Sequence, residues 1–299
     1  MNTETVHAWV KGIRRIWPLF PAAFYLLGFL IVAIVYLVGM SFSAVGNGGS
    51  SGASLSTVLA VLQMPRFREA LINTVAFVLI GTPLELIVGL ALALMLHHSF
   101  HFRGLMRSVF VIPIAIPALV TATLLFILFD YPGGHANDLI TGKYPIVPML
   151  VEHPINWRGS KTFALGVSLL GKVWRDMTIS MLILLAGLSS VEPELIDAAR
   201  TMGAGVRQRL RHIILPLIMP SISAVVLLRS IEMWKEFIFP FVLAGKHNLL
   251  GTLIESLYNN WGRSHEAAVV ALVLVICIGI GVLLFSSLLQ LLRRVLAAY

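Results

Sequence analysis

Six stretches of this 299-residue chain are apolar enough, and long enough, to cross a lipid bilayer as helices. They run over about 18–40, 71–96, 108–129, 163–188, 213–244 and 267–292. The hydrocarbon core of a bilayer takes roughly 20 helical residues to span. None of the stretches alternates with the two-residue period of a barrel strand. The spans are therefore expected to be helices that satisfy their own backbone hydrogen bonds. Composition agrees, since 58% of the residues are hydrophobic and only 12% charged, against about 25% charged in a soluble domain. So few charges cannot cover a globule in water. The expected fold class is an all-α membrane protein of six transmembrane helices. The first stretch, from Pro18, is read as a retained span. A cleaved signal would have an apolar core of about 7–15 residues and a small-residue cleavage site after it, and neither is found.

The formal net charge is +8, and its distribution says more than its sum. Segments 1–17, 97–107, 189–212 and 293–299 together hold eleven Lys and Arg, whereas the remaining loops hold seven. An excess of Lys and Arg marks the cytoplasmic side. The expected organisation is thus a cytoplasmic N-terminal segment (1–17), a six-span transmembrane domain (18–292) and a cytoplasmic tail (293–299). On this count the basic balance reports membrane orientation and not nucleic acid. Segment 46–56 is Gly/Ser-rich and reads as flexible, 55–70 as a short surface helix or loop, and 130–162 as an extramembrane loop without strong helix signals. The lone cysteine, Cys277, lies in an apolar run, can form no intrachain disulfide, and reads as a small packing residue.

The longest polar interval on the positive side is Ser190–Pro220. Pro193 suits the first position of a helix, Glu192 and Glu194 complement its N-terminal dipole, and Gly203 supplies a stop. On that short helix Leu195, Ala198, Ala199 and Met202 share one shallow face. Such a helix can settle in a groove of a partner protein or rest on lipid headgroups. Pattern alone leaves both open.

The residues within it also carry a resemblance. Asp197-Ala198-Ala199, Gly203-Ala204, Ile214-Leu215-Pro216 and Pro220 resemble the EAA loop of ABC-importer permeases. Asp197 stands where that family commonly has Glu, and Met202 where an Asp usually precedes the glycine. GTPLELIVGLALALML, RGLMRSVFVIPIAIPALVTA, Asn137, Trp174-Arg175 and LLAGL are similar to carbohydrate-importer permeases of the maltose/glycerol-phosphate type. The resemblance covers most of residues 18–292. It implies a type I ABC importer permease fold with a cytoplasmic coupling helix in the loop 190–215. The ATPase-coupling residues it implies are Glu194, Leu195, Asp197, Ala198, Ala199, Met202, Gly203 and Ala204. It further implies a second related permease subunit, two ATPase subunits that carry ATP and magnesium, and an extracytoplasmic solute-binding protein. The implied setting is the prokaryotic cytoplasmic (inner) membrane, in contact with lipid, with no cofactor in this chain and no enzyme activity of its own.

Eight charged residues fall within spans: Glu85, Lys172, Arg175, Asp176, Arg229, Glu232, Lys235 and Glu236. Charge in hydrocarbon is expensive, so these are expected to face the bundle interior, a partner or a watery path. Helical spacing pairs Lys172 with Asp176, and both Arg229 and Lys235 with Glu232. Glu85 is expected to pair with another helix. Two tryptophan-containing runs join polar groups to an aromatic face that suits a sugar ring. They make Trp174, Arg175, Asp176, Glu232, Trp234, Lys235 and Glu236 a candidate substrate path, the competing reading being ion pairs that hold helices together. Gly166-VSLL-Gly171-Lys172 imitates a phosphate-binding loop. Val173 stands where Ser or Thr would hold magnesium, and the run lies in an apolar span, so nucleotide is not expected here. His97, His98 and His101 read as a headgroup-facing turn and not as metal ligands. The solute expected is a sugar. Glycerol phosphate, a polyol or an amino acid is the alternative within the class, and a secondary transporter is the alternative outside it.

Overall fold

The computed structural model describes residues 20–42, 55–98, 100–144 and 147–297, and all regular structure in them is helical. The expected segment 1–17 and most of the 46–56 stretch lie outside the described residues. Along the chain the helices are α1 (Phe20–Phe42), α2 (Ser56–Gln63), α3 (Pro65–His97), α4 (Arg103–Ala115), α5 (Ala118–Leu128), α6 (His135–Ile140) and α7 (Lys161–Ser189). There follow α8 (Pro193–Thr201), α9 (Val206–Leu217), α10 (Met219–Trp234), α11 (Ile238–Leu243), α12 (Leu250–Glu255) and α13 (Ser264–Ala297). Among the described residues α1, α3 and α13 are each long and apolar enough to cross a membrane. The pairs α4/α5, α7/α8 and α9/α10–α11 qualify only jointly, each bent by 93°, 70° and 69°. Three to six spans result.

Proline sets the breaks. The expected continuous helix over 108–129 is two helices, because Pro117 drives the preceding Ile116 into the extended region (φ −82°, ψ 130°). The stretch expected as one span over 213–244 is broken twice. Pro216 lacks the N–H that would reach back along the helix, and the turn widens to a π-helical one over Leu210–Ile214 just before it. Pro220 then opens α10, which itself ends at Trp234. The 130–162 loop, expected without helix, contains α6. Its buried Asn137 explains the order: the amide nitrogen donates to the carbonyls of Asp130 and Ile155, and the amide oxygen accepts from the Ile155 N–H and from Trp157 Nε1. One side chain thereby pins both ends of the loop.

Among the described residues α3 and α7 form the most extensive helix pair. They cross at Gly89, where a Cβ would stand 2.6 Å from that of Ser180, which is how small residues let membrane helices approach. α10 packs against α3, α7 and α13. One end of this bundle is filled by Leu96, Leu184, Leu188, Ile218 and Val225, the other by Phe67, Leu250, Leu253 and Val270, and the middle by Phe77, Val173, Met233 and Trp234. Leucines and isoleucines facing outward from α1, α3, α5 and α13 are exposed, as side chains that meet lipid would be.

Candidate functional site

α8 is held at both ends. Pro193 opens it after Glu192, whose backbone is extended (φ −62°, ψ 126°). At its close Gly203 takes a positive φ of 82°, with the Gly203 N–H donating to the Arg200 carbonyl and the Ala204 N–H to that of Ala199, both at 2.9 Å. That is a Schellman cap, and it needs the left-handed residue that glycine supplies. Ile196 and Ala199 turn inward, Ala199 buried and Ile196 against the Leu184–Leu188 cluster. Glu194, Leu195, Asp197, Ala198 and Met202 point away and are exposed, Met202 by 82%, while Ala204 is half-buried. Of the four residues expected on one face, Ala199 thus forms its buried edge, beside Ile196, and the two together seat the helix. The exposed surface centres on Leu195, Ala198 and Met202.

Within the bundle the charges converge. Lys172 of α7 pairs with Asp176 one turn on and with Glu236 and Glu232 at 3.1 and 3.8 Å. Arg229 of α10, buried to 1% exposure, faces Glu232 at 3.1 Å, Asp176 at 3.6 Å and Glu85 of α3 at 3.8 Å. Arg175 Nη1 donates to Asp176 Oδ1 at 2.6 Å. Three cations and four carboxylates thus link α3, α7 and α10. Both Glu85 oxygens are buried without a hydrogen bond. The carboxylate of Glu232, 27% exposed, is the most open of the four. Lys172, inside α7, is thereby surrounded by carboxylates.

Of the candidate path residues, Asp176, Glu232 and Glu236 meet around Lys172, and Arg175 joins them. Trp174 leaves on another side of α7, 41% exposed, and lines an apolar cavity of about 640 Å³ with Leu124, Leu170 and Phe129. Trp234 is buried over Gly281 of α13, where its indole meets the glycine directly. Lys235 is exposed, and the expected pair with Glu232 is absent among the described residues. Lys235 caps α10, its N–H still reaching the Ile231 carbonyl, and its side chain runs out to the surface instead. The structure thus divides the seven into a buried ionic knot and separate aromatic positions. Lys172, Glu85 and Arg229, absent from the candidate set, are at its centre. Two of them were signalled by spacing, Lys172 four residues before Asp176 and Arg229 three before Glu232, whereas nothing local marks Glu85 as their partner.

Residues 85–298 match the family model described as binding-protein-dependent transport system inner membrane component. The chain belongs to this family. It is an inner membrane component of a binding-protein-dependent transport system. The trehalose/maltose transport system permease protein MalF of Thermococcus litoralis is 31% identical over 64% of this chain and 62% of its own length. The chain therefore spans about three fifths of that relative. The xylose/arabinose import permease protein XacH of Haloferax volcanii is 27% identical over 80% of this chain and 75% of its own. In fold, the permease matches a chain of a bacterial alginate ABC transporter solved with an alginate pentasaccharide-bound periplasmic protein (TM-score 0.79, 18% identity, 95% of this chain and 98% of that one).

Proposed function

We propose that this permease carries a sugar or sugar-like solute inward. It does so beside a second, related permease, above two ATPase subunits that hold ATP and magnesium, and below an extracytoplasmic solute-binding protein. The observation that carries the reading is the membership of residues 85–298 in a binding-protein-dependent permease family. The names of its relatives, which include trehalose/maltose and xylose/arabinose permeases, supply the solute class.

On this reading six spans cross the membrane, both termini are cytoplasmic, and the 190–215 loop is the coupling element. Leu195, Ala198 and Met202, with Glu194 and Asp197 on the rim, enter a cleft of the ATPase. Ala199 seats the helix, and Gly203 and Ala204 fix its end. Closure of the ATPases pulls α8, and α7 and α9, joined to it by short turns, transmit the displacement into the bundle. Two packed states then alternate as rigid bodies. The ionic knot ties α3, α7 and α10 so that they move together, and Glu232 and Arg175 at its open edge face the solute path, with Asp176 and Glu236 behind them. The exposed indole of Trp174 and the exposed Lys235 are further path contacts, and Trp234, at the end of α10, braces the path against α13. The test is ATP hydrolysis by the assembled importer, reconstituted with its binding protein, with and without candidate sugars. Stimulation by a sugar is expected. A chain that moves solute alone and ignores ATP would overturn the reading in favour of a secondary transporter.

A further inference from the structure

We infer that the cleft between α8 and the end of α3 is a binding site for the headgroup of an anionic phospholipid. The cleft encloses about 450 Å³, and its polar lining is His97 and His98 from the end of α3, Asp197 and Arg200 from α8, and Arg209 from α9. Asp197 is already matched by Arg200 at 3.1 Å. Arg209 is not matched. Its Nε is buried without a hydrogen-bond partner, and no carboxylate pairs with it among the described residues. The Nε itself is shielded from the cleft, but Arg209 is only half-buried and lines it, so its terminal N–H groups are the ones offered to a ligand there, and a phosphodiester oxygen is the planar fork's natural acceptor.

The remaining wall is apolar, with Leu94 on one side and Ile214 on the other. Free phosphate would leave that wall uncovered, whereas a lipid covers it with glycerol and its first methylenes. The cleft also lies where a lipid would be, since α3 is a candidate span that ends at His97. Leu195, Ala198 and Met202 are exposed on the far side of α8. A lipid so placed backs the helix without obstructing its outer face, and sets the angle at which that face is presented. The inference rests on α3 being a membrane span, and not on which solute is carried.

The importer, purified with its neighbouring subunits, is examined by native mass spectrometry after exchange into phosphatidylglycerol and phosphatidylcholine of matched chains. Wild type is expected to retain the anionic lipid about fivefold over the zwitterionic one, the scale set by one near-surface arginine. Arg209→Gln should lose that preference, while Arg211→Gln, at an exposed arginine two residues on, should keep it. Equal retention of the two lipids by wild type, or an undiminished preference in Arg209→Gln, would overturn the inference. So would retention of inorganic phosphate through Arg209 without any lipid preference, which would assign the cleft to a free anion. Should Arg209→Gln not assemble, a phosphatidylglycerol with a photoreactive headgroup decides on wild type. Adducts within 94–98 and 193–214 support the site, and adducts confined elsewhere sink it. Sugar-stimulated ATP hydrolysis measured on the same preparation is independent of this outcome, so a failed lipid site leaves the transport reading standing.

Discussion

Arg229, itself buried, faces three carboxylates, of which Glu85 and Asp176 are buried and Glu232 is partly open. Removing one partner of a buried ionic set leaves the others uncompensated, which costs about 3–5 kcal/mol. Arg229→Leu is therefore expected to lower the thermal stability of the purified importer sharply, read as loss of monodisperse protein on heating. Glu85→Gln should cost much less. It removes one of four negative charges facing three positive ones, and the Glu85 oxygens make no hydrogen bond to lose. Equal losses from both substitutions would mean that the knot is not balanced in this way. Gly203 offers a second single-residue test. A Cβ there would meet nothing within 4 Å, so the demand is the positive φ alone. Asparagine tolerates that conformation and a β-branched residue does not. Gly203→Asn should retain most of the sugar-stimulated ATP hydrolysis, and Gly203→Val should lose it while the subunit stays in the membrane. Normal transport by Gly203→Val would remove the coupling role from this turn.

At the scale of the element, α8 separates seating from presentation in adjacent alanines. Ala199 is buried and Ala198 exposed, so enlarging each asks a different question. Ala199→Leu overfills a packed site and should destabilise the chain by about 1–3 kcal/mol. Ala198→Leu should leave the melting temperature unchanged yet weaken stimulated hydrolysis, because its side chain stands on the surface proposed to meet the ATPase. A melting loss in Ala198→Leu would show that the two faces are assigned the wrong way round. Both of these alanines were visible in the sequence, but their division was not. A shallow four-residue face has two solutions on so short a helix, and only the inward pull of Ile196 selects one. The long apolar helices were legible for a simpler reason: apolar runs of that length have few other places to go. Their breaks at Ile116 and Ile218 were not, although Pro117 and Pro220 were in plain view, because proline within a membrane helix is also tolerated without a break. The ionic knot was half legible. Pairs within one helix follow from spacing, but the link from Arg229 to Glu85 joins positions 144 residues apart and depends on how α3 and α10 pack.

For the whole molecule, α3 works as a measuring rod. Near its start Glu69 lies 3.7 Å from His247, in the turn after α11. At its end His97 shares a cleft with Arg200 and Arg209. The intervening helix, at 1.5 Å per residue, separates these two places by about 40 Å, more than the hydrocarbon thickness of a bilayer. The turn after α11 and the turn after α8 must therefore emerge on opposite sides if α3 crosses at all. On the proposed reading the excess of Lys and Arg assigns the sides, with the α8 turn in the cytoplasm. Replacing Cys277 by Ser gives a chain without thiols into which single cysteines can be placed. Lys246→Cys should react with a membrane-impermeant maleimide added to intact spheroplasts. Gly205→Cys, exposed but on the other side, should react only after permeabilisation. The reverse pattern would invert the topology and, with it, deny α8 any access to a cytoplasmic ATPase. Labelling of both from outside would mean that α3 does not cross.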